Sequence, residues 1–262
     1  MRLEVVRLEL WARRRSTVGY ALGMGLYAFV IVALYPSFQH DTSLDKLTKS
    51  APTLSALFGA IGALTSPTGW LDANIYENFF PLMMLLLAIG YGASTIAGRD
   101  EEGSLALVAT LPIARGRIVG QKVLSMIVQA LALTSVVAVV VVVGRSFHLS
   151  LSVGHVVEAS LATLLLGLDL GLFTMAVGAR TRSRGTALGV GSAVAAASYL
   201  VSSLAPVVAW IRPARFASLF YWSVGNGQLS TGLTLIDAAV LVLVAAATGT
   251  AAIRAFAHMD LN

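Results

Sequence analysis

The run Val136-Val137-Ala138-Val139-Val140-Val141-Val142-Val143 carries no polar side-chain atom over eight consecutive positions. Valine suits strands in water, but a strand of a membrane barrel alternates between lipid and lumen, and this run does not alternate. Read outward, the apolar stretch covers residues 119 to 144, more than the roughly 20 residues that carry a helix across a bilayer. A helix satisfies its backbone hydrogen bonds internally, which hydrocarbon demands. The segment from Ala159 to Leu168 is likewise uncharged and unalternating. The fold class expected is therefore all-α, a polytopic membrane protein.

Composition points the same way. The 262 residues are 57% hydrophobic and 12% charged, with a mean hydropathy of +0.81, whereas soluble proteins carry about a quarter of charged residues. With no cysteine, disulfides, thiol nucleophiles and cysteine metal sites are excluded. The net charge of +5 is explained by where the basic residues fall around the spans, and no nucleic-acid partner is expected.

Six spans are predicted, at residues 17–36, 79–98, 119–144, 156–179, 186–211 and 233–255, in a single transmembrane domain over 1–262. Arg13, Arg14 and Arg15 precede the first apolar run in the manner of a signal peptide. That run is about 20 residues long and lacks a small-residue cleavage site, so an uncleaved span is expected. Placing the N-terminus inside puts 13 of the 18 Lys and Arg residues on the cytoplasmic side and 5 outside. Both termini are thus expected in the cytoplasm, at the cell membrane. Leu3, Val6 and Leu10 form an i, i+3, i+7 row near Trp11, which predicts a cytoplasmic interfacial helix over 1–16, with a basic topology anchor as the plainer reading. In the outer loop of 37–78, Thr53 to Leu64 is expected as a short interfacial helix, followed by a turn at Pro67-Thr68-Gly69-Trp70 with Trp70 at headgroup depth.

Charge is scarce in this chain, which makes one island conspicuous: Arg99-Asp100-Glu101-Glu102-Gly103-Ser104-Leu105, then Thr110-Leu111-Pro112, then Arg115, Arg117 and Lys122. A helix starting near Glu101 would place carboxylates at its positive end and stop before Pro112. Leu105, Val108 and Leu111 would share one side of it, with Gly103, Ala106 and Thr110 on another. Arg115, Arg117 and Lys122 would return the chain to the surface, where membrane lipid phosphates are their expected partners. A charged loop between two spans is the plainer reading of the same residues.

The order acidic-acidic-Gly-Ser-Leu, then Thr-Leu-Pro, then a basic stretch resembles the signature of ABC transporter permeases of the type-2 exporter superfamily. Ser104 stands where Thr is usual, Ala106 where Glu is common, and Leu111 is inserted between Thr110 and Pro112. The resemblance extends to the layout: a cytoplasmic N-terminal helix, six spans, the island between spans two and three, and an aromatic outer segment between spans five and six. It implies a coupling helix within 99–118, with Glu101, Glu102, Gly103, Leu105, Val108 and Leu111 as partner-coupling residues. The implied partners are an ATP-binding cassette subunit, which would hold ATP and Mg, and a second permease copy or a related permease. No cofactor, catalytic residue or metal ligand is expected in this chain. No P-loop is found, since the nearest candidate, Gly116 to Lys122, has the wrong spacing.

Asp169 lies deep inside a span, where an unpaired charge costs at least about 2.5–3.5 kcal/mol on insertion scales. Gln129 lies at a similar depth, so an interhelical Gln129–Asp169 hydrogen bond is predicted. A structural role and a role in substrate or proton handling both remain open for the pair. The stretch from Arg212 to Trp222, with Gly225-Asn226-Gly227, reads as an aromatic belt, or, as the resemblance implies, as re-entrant short helices capping an exit path. Gly19 and Gly23, Gly167 and Gly171, and the run from Gly185 to Ser192 stand at helix-contact spacing. Arg180, Arg182 and Arg184 are expected to set topology, with lipid phosphate as a second role. His40, His148, His155 and His258 form no zinc spacing. Other classes stay in view: a proton-coupled secondary transporter using Asp169, a membrane enzyme, and a non-transporting assembly or immunity subunit.

Overall fold

A computed structural model describes residues 4–40, 63–103 and 115–259 of the chain. Among these residues there is no strand, and six helices are long and apolar enough to cross a membrane. They are α1, Glu4–Phe38; α2, Pro67–Glu101; α3, Arg115–Val143; α4, Val153–Thr181; and α5, Arg184–Leu204. After two short helices, α6 at Leu219–Ser223 and α7 at Gln228–Thr231, the sixth is α8, Leu235–Ala257.

The bundle is built around α4. Of its apolar stretch 78% is buried within the chain, against 17% for α1, α5 and α8, and it packs on α2, α3, α5 and α8. Small residues permit this. A Cβ on Gly92 of α2 would fall 2.3 Å from the Gly171 carbonyl oxygen of α4, and one on Gly171 would fall 2.8 Å from Met126 Sδ. Close backbone approach of this kind is how helices associate when both sides are apolar. Gly19 and Gly23, in contrast, meet nothing within 4 Å.

Several predicted boundaries move, each for a local reason. The N-terminal stretch is helical, but it runs without a break into the first span, with Val5, Val6 and Glu9 buried along it. α2 begins at Pro67, well before the predicted 79. Ser66 accepts a hydrogen bond from the Gly69 N–H at 3.1 Å, and Pro67 occupies the first helical position, where its missing N–H is not needed. The predicted turn at 67–70 is thus the first turn of a helix. Trp70 lies buried within the protein, its Nε1–H donating to the Ile31 carbonyl at 3.0 Å and its ring stacked on Phe38. The short helix expected at 53–64 falls mainly outside the described residues. α5 ends at Leu204 and not at 211, because Pro206 lacks the donor a continuing helix needs.

Two stretches of α2, Asp72–Phe79 and Ser94–Gly98, are wound as π-helix, a wider turn often found at functional sites. The α4–α5 turn takes only Arg182 and Ser183. Arg182 turns the chain with φ +56°, and Ser183 caps α5 by accepting from the Thr186 N–H at 3.3 Å. Between α5 and α8 the chain makes a 3₁₀ turn at Arg212–Ala217, and α6 and α7 fold back against α4. The aromatic segment is therefore a set of short helices, with Phe220 buried and Phe216 exposed.

Candidate functional site

At the basic end of the bundle α1, α2 and α3 meet on one carboxylate. Glu9 of α1 is 1% exposed, and its Oε1 accepts from both Lys122 Nζ of α3 and Arg99 Nη2 of α2, each at 2.9 Å. Lys122 is 0% exposed. Its ammonium has two further acceptors on α2, the Thr95 carbonyl at 2.7 Å and Thr95 Oγ1 at 3.2 Å. A tightened bond at the end of the π-helical stretch helps to make this possible, because the Arg99 N–H donates to the Ile96 carbonyl three residues back instead of to Thr95, its partner in a regular α-helix.

Arg13 completes the cluster one turn along α1. Its Nε lies 4.0 Å from Glu9 Oε2, its guanidinium sits 4.6 Å above the Tyr91 ring, and Nη2 donates to Ser94 Oγ. Tyr91 in turn donates its hydroxyl hydrogen to the Lys122 carbonyl at 2.9 Å. Three cations thus surround one carboxylate, and a carbonyl, two hydroxyls and an aromatic face supply the remaining acceptors. Away from water such a group is stable only when each charge keeps its partners, and removing one partner of a buried pair costs about 3–5 kcal/mol.

The contact between α1 and α3 continues on both sides of this cluster. The Val5 N–H donates to Gln121 Oε1 at 3.0 Å, and Thr17 Oγ1 to Gln129 Oε1 at 3.1 Å. Polar pairs of this kind fix the register of helices whose apolar faces alone would slide.

The acidic residues beside Arg99 reach a different pair of helices. Asp100 Oδ2 lies 3.2 Å from Arg182 Nε. Glu101 Oε1 accepts from the Arg184 N–H at 2.8 Å, at the start of α5, where the helix dipole favours an anion. Glu101 closes α2, and the positive helix end that it satisfies belongs to α5; the helix expected to run from near Glu101 to Pro112 falls mainly outside the described residues. Glu102 follows in the turn, and Gly103 has φ +69° with its N–H on the Asp100 carbonyl at 3.0 Å. That left-handed conformation favours glycine.

The predicted site residues therefore separate. Glu101, Glu102 and Gly103 are brought to the end of α2, at the surface; Leu105, Val108 and Leu111 lie outside the described residues. Lys122, expected at lipid phosphates, is instead sealed in the network, because a continuous α3 carries it inward from Arg115. Arg182 and Arg184, expected to set topology or meet lipid, hold the island through a side chain and a backbone N–H. The Gln129–Asp169 hydrogen bond is not formed: Gln129 Oε1 accepts from Thr17, and its amide donates to the Ser125 carbonyl at 3.1 Å. Both Asp169 carboxylate oxygens are buried and have no partner among the described residues. Glu9, Arg13 and Thr95 were missed. The available signal was Glu9 itself, one of two acids among the basic residues before the first span and four residues from Arg13.

A second feature lies along α1, α2 and α5, where a groove of about 670 Å³ runs past Leu82, Leu86 and Ile89 and carries Glu77 on its wall. The predicted second span starts at 79 and so leaves Glu77 out; the earlier start of α2 brings it into the bundle.

Six membrane-length helices with one of them, α4, buried at the centre, closed at one end by a charge network, define a multi-pass helical membrane protein. The chain belongs to the ABC-2 family of transporter proteins, whose family model matches residues 3–261. It is accordingly a permease component of an ABC transporter, the membrane part and not itself the ATPase. Comparison with curated proteins finds no match.

Proposed function

We propose that the chain is the membrane-spanning subunit of an ATP-driven exporter, oriented with both termini in the cytoplasm of the cell and coupled to a separate ATP-binding subunit at the Arg99–Lys122 island. A second permease copy or a related permease would complete the translocation path, and ATP and Mg would be held by the partner. One observation carries this reading: the residues that open and close the island, Arg99 and Lys122, both bind Glu9 Oε1 at 2.9 Å. A push on the island is thereby delivered to α1, α2 and α3 together. Asp100 and Glu101 deliver it to the α4–α5 turn as well. Without such ties a docked partner would move a loop and leave the bundle still.

The groove along α1, α2 and α5 supplies this chain's share of the path, and the short helices before α8 supply its outer cap. The test is co-purification of the chain with candidate P-loop ATPase subunits and ATP-dependent transport in vesicles. Capture of one such subunit is expected. Glu102→Lys combined with Gly103→Pro is expected to abolish transport, since proline cannot adopt the positive φ of Gly103. Failure to capture any such subunit, or unimpaired transport by the double variant, would overturn the reading.

A further inference from the structure

The groove of about 670 Å³ lies in the range of sites that enclose small molecules, and its polar groups are almost all spoken for. Tyr27 donates to the Asn74 carbonyl at 3.0 Å, and the Asn74 amide donates to the Trp70 carbonyl at 2.8 Å. Asn78 donates to the Ala73 carbonyl at 2.7 Å and accepts from the Tyr199 hydroxyl at 3.2 Å. Glu77 differs. It is 9% exposed, and its Oε1 is buried with no hydrogen-bond partner among the described residues. It also sits on the π-helical stretch Asp72–Phe79, the kind of local irregularity that recurs where a helix meets a ligand. Below it, Leu82, Leu86 and Ile89 continue the groove as an apolar wall.

We infer that the groove takes an amphipathic organic cation, its charged head on Glu77 and its apolar body along Leu82, Leu86 and Ile89. A buried carboxyl group with one unpartnered oxygen, Glu77 Oε1, favours a positive charge brought to it, and a charge-assisted contact in a water-poor site is stronger than a neutral one. The apolar wall favours a lipophilic body over a hydrated inorganic ion, whose water would find few acceptors there. This inference rests on the proposed transport role and names the class of molecule that role would act on.

The test uses the full chain in nanodiscs with tetraphenylphosphonium as the cation and triphenylphosphine oxide as the neutral analogue, binding being read by equilibrium dialysis. Saturable cation binding is expected, weakened at least about tenfold by Glu77→Gln, with binding of the neutral analogue unchanged. Glu77→Asp keeps the charge and is expected to keep the preference for the cation, which separates charge from folding. Leu82→Trp fills the groove and is expected to remove binding of both. Equal cation affinity in wild type and Glu77→Gln, or no saturable binding in wild type, would overturn the inference. So would disulfide cross-linking of Leu86→Cys chains into dimers that exclude the cation, since a second copy would then be the occupant. Capture of the ATP-binding subunit is measured on the same preparations. Lost cation binding with capture intact sinks this inference alone; lost capture sinks the permease coupling whatever the cation does.

Discussion

Glu9 is the residue on which most depends. Replaced by glutamine, it would leave the ammonium of Lys122 buried against Thr95 with no anion, and the cost expected is about 3 kcal/mol. Lys122→Met should cost less, because Arg99 remains on Glu9 at 2.9 Å and still neutralises it. Glu9→Leu with Lys122→Leu should recover much of the loss, since both buried charges are removed together. Thermal unfolding in detergent reads all three, and equal losses for the two single variants would show that the network is not built on Glu9. At Asp169 the sign reverses. Its carboxyl oxygens have no partner among the described residues, so Asp169→Asn, which removes a buried ionisable group at no change of size, should melt no lower than wild type. A large drop would reveal an interaction that those residues do not display.

At the scale of the helix, the packing of α2 on α4 is set by glycine. Gly92→Ala would drive a methyl group to 2.3 Å from the Gly171 carbonyl oxygen; backbone must shift, and a loss of about 1–3 kcal/mol is expected. Gly120 on α3 meets nothing within 4 Å, so Gly120→Ala should be neutral or stabilise by up to about 1 kcal/mol through helix propensity. Stability measurements on the pair distinguish contact from propensity, and equal effects would refute the close crossing. The existence of these helices was legible in the sequence because continuous apolar runs such as Val136 to Val143 permit little else in a membrane. Their ends were not. α2 starts at Pro67 because Ser66 caps it, and α1 runs unbroken past Glu9 because that charge is neutralised by residues 90 and 113 positions away; a hydropathy window counts Glu9 only as a charge. The same blindness hid the site, since Lys122 reads as one more basic residue until the pitch of α3 turns it toward Glu9.

For the whole molecule, the account is that one bundle end gathers the ties of five helices beside the Arg99–Lys122 island: α1, α2 and α3 through Glu9, and α4 and α5 through Asp100 and Glu101. α4 is fixed at the centre, whereas α1 and α5 are largely uncovered within the chain and are the helices free to shift against a neighbour. Motion entering at the island should therefore change the groove between α1, α2 and α5. The absence of cysteine allows this to be followed with a single introduced thiol. The most direct measurement is the maleimide labelling rate of Leu86→Cys in the complex with the captured ATP-binding subunit, with and without ATP and vanadate. A nucleotide-dependent change in rate is predicted, and it should vanish when Glu9→Leu and Lys122→Leu are added together with Asp100→Ala and Glu101→Ala, which cut the ties to the α4–α5 turn, while the ATP-binding subunit stays bound. A change that survives loss of the network, or no change in the unaltered network, would contradict the account.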